Sequence, residues 1–257
     1  MRLGIAGGGR AAWAFGSAWR RIGWPIAGVW LREESRSTVA ELLETPRRDL
    51  AELADRTDLL LLAVSDRAID EVADLIPDTN AILFHASGSL TAVRGGFSLH
   101  PLRALPPVGV ASDLANSLLV FEGNHRDVAM RIAEAVGARF ASIDARQKAM
   151  YHAAAVFGSN YVAAVLDVAE RLMERAGIEG VRPDLVALAE SAIRNWSAQD
   201  GLQRFTGPAA RGDFATLDRH RAALASDPQL ASVYELLADY IARCYDRSPR
   251  FADMTEP

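Results

Sequence analysis

Lysine is almost missing from this 257-residue chain. Of its 28 basic residues, 27 are arginine, and Lys148 stands alone. Cysteine is as scarce: a single Cys244 excludes an intramolecular disulfide and a Cys-rich metal site. Positive charge is not in excess. The 33 acidic residues outnumber the 28 basic ones, for a net charge of −5, which speaks against nucleic acid as a partner. No long hydrophobic run is present either. The best stretch, residues 153–166, is interrupted by Ser159 and Asn160 and falls short of the ~20 residues of a spanning helix, so no membrane partner is expected. Gly4, Gly7, Gly8, Gly9 and Arg10 stand where an export signal needs an apolar core, which makes the cytoplasm the expected location. The five histidines are scattered, without H-x-x-x-H spacing or paired carboxylates, so no metal site is expected.

What is present is a chain able to bury a core, half hydrophobic and 24% charged, and long enough for one large domain or two small ones. Its first half alternates short apolar runs with helical patterns. Strands are predicted at residues 2–6, 26–31, 59–64 and 81–85, with shorter ones at 96–99, 118–121 and 140–143. Helices are predicted at 10–22, 68–75 and 126–136. The run LLLLAV (59–64) is unbroken, as in a parallel strand covered on both faces. After Ala145 only helices follow: 145–176 stopped by Gly177, 183–196 opened by Pro183, a third capped by Asp213 and running to 225, and a fourth from Asp227-Pro228 to about 247. Residues 201–213 read as a glycine-rich loop. The expectation is an α/β Rossmann-type doubly wound sheet over residues 1–144, followed by an all-α domain over 145–257.

Gly7-Gly8-Gly9-Arg10-Ala11-Ala12 fits G-x-G-x-x-A between a strand and a helix, the context a dinucleotide fingerprint requires. Gly7 makes the tight turn, Gly9 admits the pyrophosphate, and Ala12 keeps the helix close to the sheet. The cofactor is chosen at the end of the second strand. Arg32 and Arg36, with Ser35, suit the 2′-phosphate of NADP, whereas Glu33 suits a plain ribose and keeps NAD possible. The backbone at Val64 and Ser65 is expected to line the cofactor, with Asp66 as a helix cap.

The segments Gly7–Ala12, LLLLAVSDRAI (59–69), HASGS (85–89), SLHPL (98–102), KAMYHAAAVFGSNYVAAV (148–165) and TGPAARGD (206–213) together resemble one family. It joins a Rossmann-like domain to a C-terminal domain similar to that of 6-phosphogluconate dehydrogenase. Its members are described as NADP-dependent oxidoreductases. The layout is more distantly similar to pyrroline-5-carboxylate reductases and β-hydroxyacid dehydrogenases. The resemblance implies a fold and a cofactor class and names no substrate.

In β-hydroxyacid dehydrogenases, the first helix after the nucleotide domain carries a lysine and an asparagine facing the nicotinamide. The matching helix here carries Lys148, His152, Ser159 and Asn160. Lys148 and His152, four apart, share a face. On this reading Lys148 gives a proton to a carbonyl or imine, a task arginine's far higher pKa forbids, while His152 and Asn160 orient a small-molecule substrate. The plainer alternative is an exposed first-turn lysine. His100 lies in a segment similar to the His-Pro-Met of prephenate dehydrogenases and is a candidate acid or base; the alternative is a loop-ordering histidine. Ser87 and Gly88 are expected over the nicotinamide, with His85 structural. Thr206 and Arg211 are candidates for substrate binding, Arg211 through a bidentate grip on an anion. Relatives of this architecture pair their helical domains, which implies a homodimer. Three readings stay open: an NADP-dependent oxidoreductase, a dinucleotide-binding sensor without turnover, and a prephenate-type dehydrogenase.

Overall fold

The computed structural model describes residues 1–32, 38–199 and 204–245. Arg36, with Glu33 and Ser35, lies outside the described residues, as does the chain beyond Tyr245. Seven strands form one sheet: β1 (Leu3–Ala6), β2 (Ile26–Trp30), β3 (Leu59–Leu62), β4 (Ile82–His85), β5 (Phe97–Pro101), β6 (Leu118–Gly123) and β7 (Arg139–Ser142). Their spatial order is β2-β1-β3-β4-β5-β6-β7. The first five run parallel, and β6 turns antiparallel to β5. That reversal departs from the parallel pairing expected where strands and helices alternate. No helix forms between β5 and β6 to carry a parallel crossover, so the chain returns in the opposite direction.

Helices cover both faces. On one, Ala14, Phe15, Ala18 and Trp19 of α1 (Arg10–Arg21) and Ile132 of α5 (Arg126–Ala135) pack on Ile5, Leu61, Phe84 and Phe97. On the other, Leu53 of α3 (Leu50–Asp55) and Val72 of α4 (Ile69–Leu75) pack on Leu60, Leu62 and Leu83. The alternation Leu59/Leu61 against Leu60/Leu62 explains the unbroken apolar run, since each face of β3 meets its own helical layer. Helices α2 (Thr38–Leu42) and α3 fall in a region where no element was expected.

The segment predicted as one helix over 145–176 is two: α6 (Lys148–Phe157) and α7 (Asn160–Arg175), broken at Gly158-Ser159. Gly158 ends α6, and the Ser159 hydroxyl donates back to the Ala155 carbonyl at 2.6 Å. The later helices are α8 (Arg182–Ala198), the one-turn α9 (Pro208–Arg211) inside the expected loop, α10 (Phe214–Leu224) and α11 (Pro228–Tyr245). Asp213 caps α10 as expected, accepting from the Thr216 amide at 3.1 Å.

The chain divides into two compact units after Val162. This division lies beyond the expected boundary at 144, because α6 is tied into the sheet by Lys148. No helix among the described residues is long and apolar enough to cross a membrane.

Candidate active site

Strands β1, β3, β4 and β5 are parallel, so their carboxyl ends share one edge of the sheet, and the chain leaves β1 and β3 in opposite directions there. Ligands of open α/β sheets bind at such a switch point. Gly7 makes the turn with φ +128°, and its amide donates to the Trp30 carbonyl at 2.8 Å. A Cβ on Gly7 would lie 2.2 Å from the Ala63 carbonyl oxygen, so only glycine lets β1 and β3 end this close together. A Cβ on Gly9 would meet nothing within 4 Å. Gly9 begins α1 in extended conformation without a capping side chain, and the first turn carries no acidic residue. The amides of that turn therefore face open space with the positive end of the helix dipole behind them. A dinucleotide pyrophosphate fits this cradle. Arg10 is exposed at its rim, Ala11 is half-buried, and Ala12 is sealed against the sheet.

Arg32 follows β2 on the same edge and bridges Glu71 at 2.9 Å, both side chains about half exposed. Past β3, Val64 is half-buried and Ser65 exposed.

The loop after β4 is held from within. His85 is fully buried, its Nε2 donating to the Thr91 carbonyl at 2.9 Å and its Nδ1 accepting from the Ser87 amide at 3.2 Å. Burial pushes its pKa down, so it is a neutral, structural histidine. The Ser87 hydroxyl donates to Asp66 at 2.7 Å and accepts from the Ser89 and Leu90 amides. The Ser87 hydroxyl and amide are thus spent inside the loop rather than held open for a nicotinamide. Asp66, expected as a cap, instead gathers the Ser87 and Ser89 hydroxyls.

Lys148 is buried, with 2% of its surface exposed, so the exposed-lysine alternative fails. Asp144 and Gln147 form a reciprocal capping box that starts the turn leading into α6 and aims Lys148 at the sheet. Its Nζ donates to the Ser87 carbonyl at 2.9 Å and to Ser98 Oγ at 2.7 Å. Ser98 Oγ donates in turn to the buried Glu122 at 3.4 Å. Burial pushes the ammonium down to about 8, while Glu122 and Asp66 support its charge. Lys148 therefore pins α6 to β4 and β5, and its amine is turned into the protein.

The open polar group is His100. Its Nδ1 is 2.5 Å from Tyr151 Oη, one turn after Lys148 on α6. Nε2 has no hydrogen-bond partner among the described residues. Burial, then the charge of Lys148 and the neighbouring His152, push His100 down to about 4, so it is neutral near pH 7. Burial raises the Tyr151 phenol to about 12. The His152 ring stands edge-on to His100 with centroids 6.2 Å apart. Gly88 lies beneath both: a Cβ there would be 2.5 Å from His152 Cδ2 and 3.1 Å from His100 Nε2. Asn160 is exposed, its side chain 2.9 Å from the Ser159 hydroxyl and apart from this cluster. Thr206 and Arg211 are exposed and belong to the second unit, Arg211 at the end of α9.

Nothing in the sequence pattern assigns a role to Tyr151, Ser98 or Glu122. Tyr151 carried one local signal, its position three residues after the lone lysine.

A family model described as a domain of unknown function (DUF2520) matches residues 118–241. No curated protein matches the chain. Among solved structures, BF3122 of Bacteroides fragilis, provisionally assigned as an NADP oxidoreductase, superposes with a TM-score of 0.80 at 22% identity, over 94% of this chain and 98% of that one. Protein TM1727 of Thermotoga maritima gives a TM-score of 0.73 at 22% identity, over 95% and 98% of the two chains. A reductive aminase from Aspergillus terreus, solved with a reduced cofactor, cyclohexanone and allyl amine, gives 0.65 at 15% identity, over 94% and 92%. The fold is thus the Rossmann-like fold of these three structures.

Proposed function

We infer that this protein is an NADP-dependent oxidoreductase acting on a small carbonyl or imine compound. The observation that carries the reading is one sheet edge bearing both an uncapped glycine cradle on α1 and, at the end of β5, a neutral His100 with a free Nε2. Gly7, Gly8, Gly9 and the first amides of α1 would hold the pyrophosphate, Arg32 the 2′-phosphate, and the backbone at Val64 and Ser65 the face nearest β3. The bound nicotinamide would supply or accept hydride. His100 holds the proton that a reduced oxygen or nitrogen takes up, and His152 and Gly88 shape the floor beside it. The aminase crystallised with a ketone and an amine supports the carbonyl or imine class.

Titrating the protein with NADPH and NADH, then screening ketones, imines and cyclic imines for oxidation of the bound cofactor, tests this. We expect tighter binding of NADPH, a preference reduced about fivefold in Arg32→Ala, as the loss of an exposed ion-pair contribution of order 1 kcal/mol implies. Tight binding without turnover on any substrate would favour a sensor. Binding of neither cofactor would remove both readings.

The helical unit pairs with a second copy in this reading. Among its described residues only Leu185, Leu217, Leu224 and Ala238 are buried hydrophobics, whereas Leu188, Trp196, Phe214, Leu236 and Tyr240 are each more than half exposed. Exposed apolar side chains in this number support the pairing. Sedimentation should give twice the chain mass, and Trp196→Glu with Leu236→Asp should shift the protein toward one chain; a monomeric wild type would refute the pairing.

A further inference from the structure

We propose that Tyr151 is a positioning residue that fixes the His100 tautomer: its phenol donates to Nδ1 and so places the ring proton on Nε2, the nitrogen open to substrate. The proposal rests on the oxidoreductase reading for its chemistry but not for its geometry. His100 and Tyr151 meet at 2.5 Å with rings edge-on, and Tyr151 has no other hydrogen-bond partner among the described residues. A phenol held protonated by burial and an imidazole held neutral leave one proton to share across this contact. Donation by the phenol is the arrangement that satisfies its O–H. The contact joins residues 51 apart in the chain, and Lys148 makes it possible by clamping the first turn of α6 to Ser87 and Ser98. Lys148 is thus a positioning residue too, and this explains why the one lysine faces inward.

The arrangement supplies a proton without creating an imidazolate. As hydride arrives at the substrate carbon, the C=O π pair becomes an oxygen lone pair, and the Nε2–H bond breaks as an O–H bond forms. The phenol O–H bond breaks as Nδ1–H forms. The imidazole ends neutral, in its other tautomer, and the phenolate recovers a proton from water. The titratable groups that act on His100 are Tyr151, by hydrogen bond, and Lys148, His152 and Asp66, by charge.

Long-range proton–nitrogen NMR of the ¹⁵N-histidine-labelled protein tests this without cofactor or turnover. The wild type should show His100 as the Nε2–H tautomer at pH 7.5, and Tyr151→Phe should shift it toward Nδ1–H or a mixture. An Nδ1–H tautomer in the wild type, or an unchanged tautomer in Tyr151→Phe, would overturn the proposal. With a turned-over substrate, Tyr151→Phe should lower kcat about 10²-fold with little change in KM, the smaller end of the range for a lost proton-transfer group. An Nε2–H tautomer that depends on Tyr151, in a protein without turnover, would uphold the pairing and remove the reductase reading.

Discussion

Replacing His100 by asparagine should lower kcat/KM by about 10²–10⁴-fold, the usual cost of a general acid. NADPH binding should stay essentially unchanged, because His100 stands at the end of β5, two strands beyond β3 and well away from the glycine turn. Combining it with Tyr151→Phe should add little, since the two groups act as one unit. The same variant has a signature in stability. Burial pushes His100 down to about 4 in the fold, against 6.5 for a free side chain. Between those values the unfolded chain binds the extra proton, so the wild type loses stability as pH falls from about 6.5 to 4. The loss reaches roughly 3 kcal/mol at most, at 1.36 kcal/mol per unit. Above pH 6.5 both states are neutral and the contribution vanishes. Urea melts of His100→Asn should therefore show a flatter acid limb, with the remaining slope including buried His85, which is depressed in the same direction. An equal acid limb in both proteins, together with unaltered kcat/KM, would refute the role given to His100.

Gly7 and Gly9 should respond to alanine in opposite ways. At Gly7 the added Cβ meets the Ala63 carbonyl at 2.2 Å with φ at +128°, so the strand ends must part. The bond from the Ala63 amide to the Ala6 carbonyl, 2.7 Å, would be lost with that movement. We expect Gly7→Ala to cost more than about 3 kcal/mol, combining strain, overpacking and a broken buried hydrogen bond. At Gly9 the Cβ enters open space, so the melting temperature should hold while the methyl group occupies the place of a phosphate. NADPH affinity should fall on the order of tenfold or more. Thermal melts and a fluorescence titration of the two variants separate these outcomes. A stable Gly7→Ala, or a Gly9→Ala that binds NADPH normally, would contradict the cradle as described.

The parts of the fold written in short stretches of sequence were legible in advance. The glycine turn, the strand LLLL of β3 and the Asp213 cap each depend on residues within a few positions of one another. What escaped was set by distant partners. Lys148 reaches Ser87 across 61 residues and Ser98 across 50, so no local pattern tells a buried clamp from an exposed first-turn lysine. The capping box at Asp144 and Gln147 was readable, yet it reveals only where α6 starts and not what it packs against. Asp66 looked like a cap because it opens a helical turn; the two serines that claim its carboxylate come from the next loop. The break at Gly158-Ser159 has a signal in residue type, but the sequence reading takes Ser159 and Asn160 as polar positions on one continuous helix. Helices α2 and α3, at five and six residues, are too short for helical periodicity to register.

The scarcity of lysine has a practical side. Apart from the N-terminus, the protein offers an acylating reagent one primary amine, and that amine is sealed beneath α6. Slow labelling at Lys148 would therefore measure how often this helix lifts from the sheet, and a ligand that tightens the site would protect it. One side chain thus serves as a built-in timer of the opening and closing of the region around His100.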